Sequence, residues 1–227
     1  MSELCYATDV NVVAVIADIV ESREIPNRSE FQRQLKQSLD ELNKQRHDSL
    51  LSPFTLTLGD EFQAVYSRFE HVFRDIVDIL VALYPHRLRV ALAYGPLSTD
   101  INPNAALEMD GRAFHDARDT LEKLKKETRS IARVSVAERF DPDMINLCLR
   151  LLANAVESWK ENSLRIFRLL LNGKKTDEIA QGLEISRRAV NKNIASHHLG
   201  DYVDTVAMIS KELDHALGLC REDVPPR

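Results

Sequence analysis

An unbroken apolar run, rich in β-branched residues, lies near the start of this chain and ends beside an acidic residue. It covers Asn11–Ile19 (NVVAVIADI). Strands that are buried on both faces of a sheet have continuous apolar sequences of this kind, whereas strands with one solvated face alternate. The run therefore predicts a central strand covered on both sides, with the carboxylate of Asp18 at its tip.

Helical and strand-like patterns alternate from this run to residue 140. Apolar residues at helical spacing predict amphipathic helices, and alternating or β-branched runs predict strands. The helices are expected at Ser29–Arg46, Phe69–Tyr84 and Asp110–Thr128, and the further strands at Phe54–Leu58, Glu61–Tyr66, Arg87–Tyr94 and Ala132–Ala137. The order β-α-β-β-α-β-α-β begins like the split β-α-β unit of ferredoxin-like folds.

From residue 141 onward the pattern is helical only. We therefore predict an α+β protein with a ferredoxin-like domain over residues 8–140 and an all-α domain over residues 141–220, which a length of 227 residues accommodates. No apolar stretch approaches the roughly 20 residues needed to span a bilayer, and no signal peptide is visible. We expect a cytoplasmic protein without a membrane partner.

Two aspartates are placed to meet at one end of the predicted sheet. Asp60 follows Gly59 at the turn of a hairpin, and in a split β-α-β sheet this hairpin is the neighbour of the strand that ends near Asp18. Paired carboxylates suit Mg²⁺ or Mn²⁺, which bind one or two carboxylates together with substrate phosphates. The alternative is that Asp18 caps a turn and Asp60 is an ordinary residue of a type I′ hairpin.

Short motifs occur in an order that resembles the palm domain of nucleotidyl cyclases. Val15–Arg23 (VIADIVESR) resembles the first-strand metal motif of class III nucleotidyl cyclases. Thr57–Val65 (TLGDEFQAV) is similar to their hairpin motif and to the Gly-Gly-Asp-Glu-Phe signature of diguanylate cyclases. Arg89–Pro96 (RVALAYGP) is similar to a later cyclase strand. With Met109–Phe114 (MDGRAF), Ala117–Asp119 and a helical tail, the chain resembles the SatD family over residues 10–220.

This resemblance implies a divalent-cation site and a nucleotide site. Asp18 and Asp60 match the two metal-binding aspartates of the cyclases, and Ile19 matches the residue that supplies a backbone carbonyl ligand. Gly59 and Glu61 match positions beside the nucleotide, and Glu61 either adds a third metal ligand or faces solvent. The resemblance therefore implies Mg²⁺ or Mn²⁺ as a cofactor and a nucleotide as a ligand.

Several positions depart from the cyclase pattern. Leu56 stands where adenylate cyclases carry a purine-reading lysine, and Leu58 stands where diguanylate cyclases carry a second glycine. His115 and Asp119 occupy the positions of the transition-state asparagine and arginine, with Arg118 one residue out of register. An aspartate repels the negative charge that develops on a transferred phosphate. We therefore expect a degenerate domain that binds a metal-nucleotide or serves for dimerisation, with a metal-dependent phosphoryl-transfer enzyme as the alternative.

The segment Thr176–Ile194 (TDEIAQGLEISRRAVNKNI) predicts two short helices joined by a tight turn. Ser186 is expected to cap the second helix, whose apolar face contains Val190 and Ile194. The opposite face carries polar donors of the kinds that reach phosphates and base edges. The candidate DNA-binding residues are Ser186, Arg187, Arg188, Asn191 and Lys192. The arrangement resembles the helix-turn-helix of response-regulator and sigma-factor-like DNA-binding domains, although the same packing also occurs in protein-interaction modules.

The distribution of charge favours a nucleic-acid partner for this segment. The whole chain has a formal net charge of −5, whereas residues 174–198 contain five basic and three acidic residues. The next helix, expected at Tyr202–Leu217, repeats apolar residues every three or four positions, as in a dimer helix or a core-facing stripe. We predict a homodimeric, DNA-binding transcription regulator whose first domain binds a metal-nucleotide or provides a scaffold.

Overall fold

The computed structural model describes residues 10–45, 49–126, 131–136 and 140–219. One mixed five-stranded sheet is surrounded by helices, so the predicted α+β composition is confirmed. The strands are β1 (Asn11–Ile19), β2 (Leu50–Leu58), β3 (Glu61–Tyr66), β4 (Leu88–Pro96) and β5 (Ala132–Val136). The longer helices are α1 (Arg28–Lys44), α2 (Val72–Ala82), α3 (Arg112–Leu124), α4 (Asp143–Ser158), α5 (Glu161–Leu171), α6 (Thr176–Gly182), α7 (Arg187–Ser196) and α8 (Leu199–Ala216).

The strand order is β2-β3-β1-β4-β5, with β1 at the centre. β1 pairs antiparallel with β3 and β4, and β4 pairs parallel with β5. Because β3 lies between β1 and β2, the β1–α1–β2 segment is a split β-α-β unit. The register places Asp18 beside Glu61 on one side and beside Arg89 on the other.

β1 is buried on both faces, as its sequence predicts, and every residue from Val12 to Ala17 is at most 1% exposed. Its odd-numbered residues belong to the apolar layer that contains Leu35 of α1 and Ile76 of α2. Its even-numbered residues pack in a second layer with Ala117 and other apolar residues of α3. Successive side chains of a strand alternate between faces, so Asp18 lies on the α3 side of the sheet.

The first apolar layer continues from the sheet into the helices that follow residue 140. Leu149 of α4, Phe167 of α5 and Val206 of α8 belong to the same cluster as Ile76 of α2. Asn146 of α4 is also hydrogen-bonded to the backbone of β5. The division of the chain at residues 140 and 141 stays a prediction.

Two helices begin close to the predicted starts but not at them. α2 begins at Val72 rather than Phe69, and the backbone N–H of Phe69 donates to Asp214 in α8 (2.7 Å). α1 begins at Arg28, with Asn27 rather than Ser29 at its N-terminal boundary.

Candidate functional site

Three acidic residues meet at one end of the sheet. Asp18 lies near the end of β1, and its register partner Glu61 opens β3. The backbone N–H of Ile19 donates to the carbonyl oxygen of Asp60 (3.2 Å), which holds the β2–β3 turn against the end of β1. Asp18 and Glu61 are 9% and 8% exposed, so both carboxylates are largely removed from water.

The turn that carries Asp60 is held by two neighbouring segments. Gly59 has a φ of +56°, whereas Asp60 is not among the positive-φ residues in the part of the chain that the structure describes, so the hairpin is not type I′. Gln32 of α1 donates from Nε2 to the Gly59 carbonyl (3.0 Å), and the Ser22 hydroxyl donates to Oδ2 of Asp60. These contacts fix the backbone of the turn and orient one oxygen of the Asp60 carboxylate.

Three basic residues surround the acidic group. Arg89 Nη1 lies 3.6 Å from Asp18 Oδ1, and Lys125 Nζ lies 3.8 Å from Asp18 Oδ2. Arg118 Nη1 donates to Glu61 Oε2 at 2.5 Å. Asp18 thus faces Arg89 and Lys125, whereas Glu61 faces Arg118. We call this group the sheet-end cluster: Asp18, Asp60, Glu61, Arg89, Arg118 and Lys125.

Burial is the main influence on the pKa of Asp18. It raises the pKa of this carboxyl above the ordinary value, and the nearby negative charge of Asp60 acts in the same direction. The positive charges of Arg89 and Lys125 oppose this rise without cancelling it. The buried Oδ1 of Asp18 has no hydrogen-bond partner among the residues that the structure describes.

A buried carboxylate oxygen near a second aspartate is the kind of ligand that a hard divalent cation takes. However, Arg89 and Lys125 already face the two oxygens of Asp18, so a metal ion would have to take their place. Within the described ranges, no three His, Cys, Asp or Glu side chains are grouped closely enough to hold a metal by themselves. Any cation here would therefore also need oxygen atoms from water or a ligand.

A cavity of about 520 Å³ opens on the α3 side of the sheet beside this cluster. Its lining residues are Ile16, Gln63, Met109, Phe114, His115, Arg118 and Asp119. The imidazole Nε2 of His115 lies 2.6 Å from Asp110 Oδ1, and this contact lowers the pKa of Asp110. Arg118 belongs both to the cavity and to the cluster, so a ligand in the cavity would contact the same guanidinium that binds Glu61.

Local sequence patterns do not single out the basic members of this cluster as site residues. Arg89 does carry a sequence signal, because it is a charged residue on an apolar strand, on the same face as Ala91, and such a residue requires a partner. Lys125 lies just beyond the end of α3, and nothing local in the sequence indicates that it reaches Asp18.

The second group of candidate residues lies on α7. The turn between α6 and α7 is closed by a hydrogen bond from the Ile185 N–H to the Ala180 carbonyl (3.0 Å), with Glu184 at a φ of +54°. Ser186 caps α7 as predicted, its hydroxyl accepting from the Ala189 N–H at 3.1 Å. Val190 is fully buried, which fixes the rotation of α7 about its axis.

This rotation turns the polar face of α7 into solvent. Arg187, Arg188, Asn191 and Lys192 are all exposed. Arg187 contacts Asp177 (3.3 Å), and the other three have no side-chain partner in the described parts of the chain. On its other side α7 is tied to α5, where the Ser163 hydroxyl donates to Asn193 Oδ1 at 2.7 Å. All five predicted DNA-contacting residues, Ser186 included, are thus exposed.

The apolar stripe of α8 faces the core. Val206, Ile209, Leu213 and Leu217 are at most 5% exposed and belong to the main apolar cluster. These residues therefore form the core-facing stripe, which is one of the two interpretations of their spacing, and they are not available as a dimer interface. The homodimer stays a prediction.

Similarity to solved structures is weak. Two structures of a bacterial light-regulated adenylyl cyclase align at 16% identity with a TM-score of 0.39, covering 56% of this chain and 44% of the cyclase chain. The chain thus spans less than half the length of the structures it matches. No curated protein matches the sequence.

None of the helices in the described residues combines the length and the apolar character needed to cross a membrane. The sequence profile of one protein family covers most of the chain, from residue 12 to residue 212. This protein therefore belongs to the SatD family.

Proposed function

We propose that this protein is a DNA-binding regulator in which α6 and α7 form a helix-turn-helix and α7 is the recognition helix. The observation that carries the proposal is the uncommitted polar face of α7. Arg188, Asn191 and Lys192 are exposed and have no side-chain partner among the described residues. Arginine, asparagine and lysine are the residue types that most often contact guanine, adenine and phosphate oxygens.

The position of these residues along α7 supports the same function. Recognition helices present their N-terminal residues to base edges in the major groove. Arg187 and Arg188 are the first two residues of α7, directly after the capping serine Ser186. Buried Val190 and the Ser163–Asn193 hydrogen bond hold the opposite side of the helix against the remaining structure.

The test measures binding of a fluorescent pool of genomic DNA fragments by anisotropy, between 50 and 200 mM salt. Each phosphate contact contributes about −0.9 to the slope of log K against log salt concentration. The Arg188→Gln/Lys192→Gln variant is expected to bind more weakly and to lose up to about 1.8 of that slope.

The matched control is Lys36→Gln, which removes an exposed cation from α1, far from α7 in sequence. We expect it to bind DNA like the unmodified protein. Equal DNA affinity and equal salt dependence in the α7 variant and the control would contradict the assignment. That result would favour a protein-interaction role for the three helices α5, α6 and α7.

A second candidate function rests on the sheet-end cluster. We propose that this end of the sheet binds Mg²⁺ or Mn²⁺ together with the phosphates of a nucleotide, in a ferredoxin-like domain of the palm type. The specific observation is that strand pairing places Asp18 beside Glu61, and the Ile19–Asp60 backbone hydrogen bond brings the β2–β3 turn to the same end of the sheet, next to the exposed residues Arg118 and Lys125. The sheet-end cluster contains three acidic and three basic residues. A divalent cation and a polyphosphate would therefore bind to it more favourably together than either would alone.

The chemistry of the protein groups follows from their positions. A divalent ion would supply positive charge to the carboxylates of Asp18 and Asp60. Lys125, whose side chain is 36% exposed, would then be released from Asp18 to pair with phosphate oxygens, and the 44% exposed Arg118 would contact them from its position on Glu61. Gly59 and Glu61 lie in or beside the β2–β3 turn, where the backbone can approach a ligand.

The electron paramagnetic resonance of Mn²⁺ measures this binding directly. We expect bound Mn²⁺ to increase when GTP or ATP is added, and the Asp18→Asn/Asp60→Asn variant to abolish the increase. Asp40→Asn, an exposed carboxylate on α1, is the control. Incubation with each nucleoside triphosphate and Mn²⁺ tests the enzymatic alternative. Turnover that depends on Asp18 and Asp60 would establish a phosphoryl-transfer enzyme instead of a binding domain.

A further inference from the structure

A second large cavity, of about 490 Å³, lies between the start of α2 and helix α8. Its volume is within the range of small-molecule sites in proteins. The β3–α2 connection and the first turn of α2 form one wall, and α8 forms the floor together with the end of α5. The lining residues are Arg68, Glu70, Arg74, Leu171, Val203, Val206, Ala207, Ser210, Lys211, Asp214 and Leu219.

The walls of this cavity are held in place from both sides. Asp214 of α8 accepts a hydrogen bond from the backbone N–H of Phe69 at 2.7 Å, which ties α8 to the β3–α2 connection. Val206 is 5% exposed and packs into the main apolar cluster. The cavity is therefore shaped by contacts that do not depend on a ligand.

The charges that face the cavity are predominantly positive. Glu70 and Asp214 are both engaged, with Arg68 and with the Phe69 backbone respectively. Arg74 and Lys211 have no ion-pair partner among the described residues. Arg68 Nε lies 3.0 Å from Glu70 Oε2, yet this buried nitrogen has no hydrogen-bond partner within the described part of the chain. Arg74 and Lys211 thus line the cavity as cations without an ion-pair partner among the described residues, beside the apolar side chains of Leu171, Val203 and Val206.

We propose that this cavity binds a small anion with an aliphatic body, which is a carboxylate or a phosphate monoester. Arg74 and Lys211 would hold the anionic head, and Leu171, Val203 and other apolar lining residues would cover the aliphatic body. The described lining contains no aromatic side chain on which a nucleobase or another flat ring could stack. This site is separate from the sheet-end cluster and does not depend on DNA binding by α7.

Isothermal titration calorimetry of the full chain tests the proposal with eight-carbon probes. Octanoate and octyl phosphate are both expected to bind, and the tighter of the two identifies the preferred head group. Octanol and octylammonium, which lack the negative charge, are expected to bind at least tenfold more weakly. Affinity should rise about fourfold for each methylene added from butanoate to octanoate, since a buried methylene contributes about 0.8 kcal/mol.

Charge-removing variants locate the binding. Arg74→Gln and Lys211→Gln are each expected to weaken octanoate binding by about tenfold or more, because each removes a charge-assisted contact. Arg150→Gln, at an exposed cation of α4 outside the cavity, is the control and should bind octanoate like the unmodified protein. The proposal is overturned if neither anion binds at millimolar concentration, if octanol binds as tightly as octanoate, or if the cavity variants match the control.

Discussion

The buried side-chain amide of Asn146 connects β5 to α4, and its removal is expected to destabilise the whole protein. β5 is an edge strand, so one side of its backbone has no strand partner. Asn146 of α4 occupies that side. The N–H of Val134 donates to Asn146 Oδ1 (2.9 Å), and Asn146 Nδ2 donates to the Val134 carbonyl (3.0 Å). Both residues are at most 4% exposed, so water cannot replace these bonds.

The size of the destabilisation follows from the two backbone groups of Val134 that the Asn146→Ala substitution would leave without a hydrogen-bond partner. A buried polar group without a partner costs about 1–3 kcal/mol. The substitution leaves two such groups on Val134, so the expected loss is about 2–6 kcal/mol in the free energy of unfolding. Asparagine is also a poorer helix former than alanine by several tenths of a kcal/mol, which slightly offsets the loss.

Urea denaturation of the full chain measures this loss, and Asn154→Ala is the matched control. Asn154 lies on the exposed side of the same helix, so its substitution has the same effect on helix propensity without removing a buried hydrogen bond. We expect the control to be unchanged or slightly stabilised. A difference of less than about 1 kcal/mol between the two variants would refute the inference that these hydrogen bonds join β5 to α4.

Three further substitutions test the site and its surroundings. Burial raises the pKa of Asp18 in the folded state, so the ionised carboxylate lowers the stability of the protein once the pH rises through that pKa. Asp18→Asn should therefore raise the melting temperature at pH 7.5. This gain should vanish below pH 3.8, the ordinary pKa of the group, where the carboxyl is protonated in both the folded and the unfolded protein. Tyr66→Phe removes the buried 2.6 Å hydrogen bond to Asp75 and should cost about 1.5–3 kcal/mol in urea denaturation. Gly111→Ala would place a Cβ 2.6 Å from the Cα of Leu97, just after β4, and should lower the free energy of unfolding by about 1–3 kcal/mol. Gly200→Ala, which has open space around it, should not lower the free energy of unfolding in the same urea denaturation.

Local sequence patterns are sufficient to predict those elements whose position depends only on the polarity and capping of neighbouring residues, such as β1 and α7. The run Asn11–Ile19 predicts β1 with the observed bounds, because a central strand needs apolar residues on both faces. Ser186 predicts the start of α7, because a hydroxyl at that position can accept from the N–H of a residue three positions later. The exposed face of α7 then follows from helical periodicity around Val190.

The composition of the sheet-end cluster depends on register and on tertiary distance, which local patterns do not contain. Arg89 meets Asp18 only because β1 and β4 pair in one particular register. Lys125 reaches the same carboxylate across the layer between α3 and the sheet. The role of Asn146 is hidden for the same reason, since its partner Val134 belongs to a strand that is recognised as an edge only once the strand order is known.

The burial of Asp18 bears on the proposal that this end of the sheet binds a metal-nucleotide. A buried ion pair usually contributes little more than an apolar pair of the same size, because desolvation offsets the attraction between the charges. At Asp18 the desolvation is the larger effect, since the pKa stays raised despite Arg89 and Lys125. An apolar residue at this position would continue the run of β1 and remove that cost. A buried carboxylate with a raised pKa, near a second aspartate and close to exposed basic side chains, supports the proposed site, where a bound cation would offset its charge.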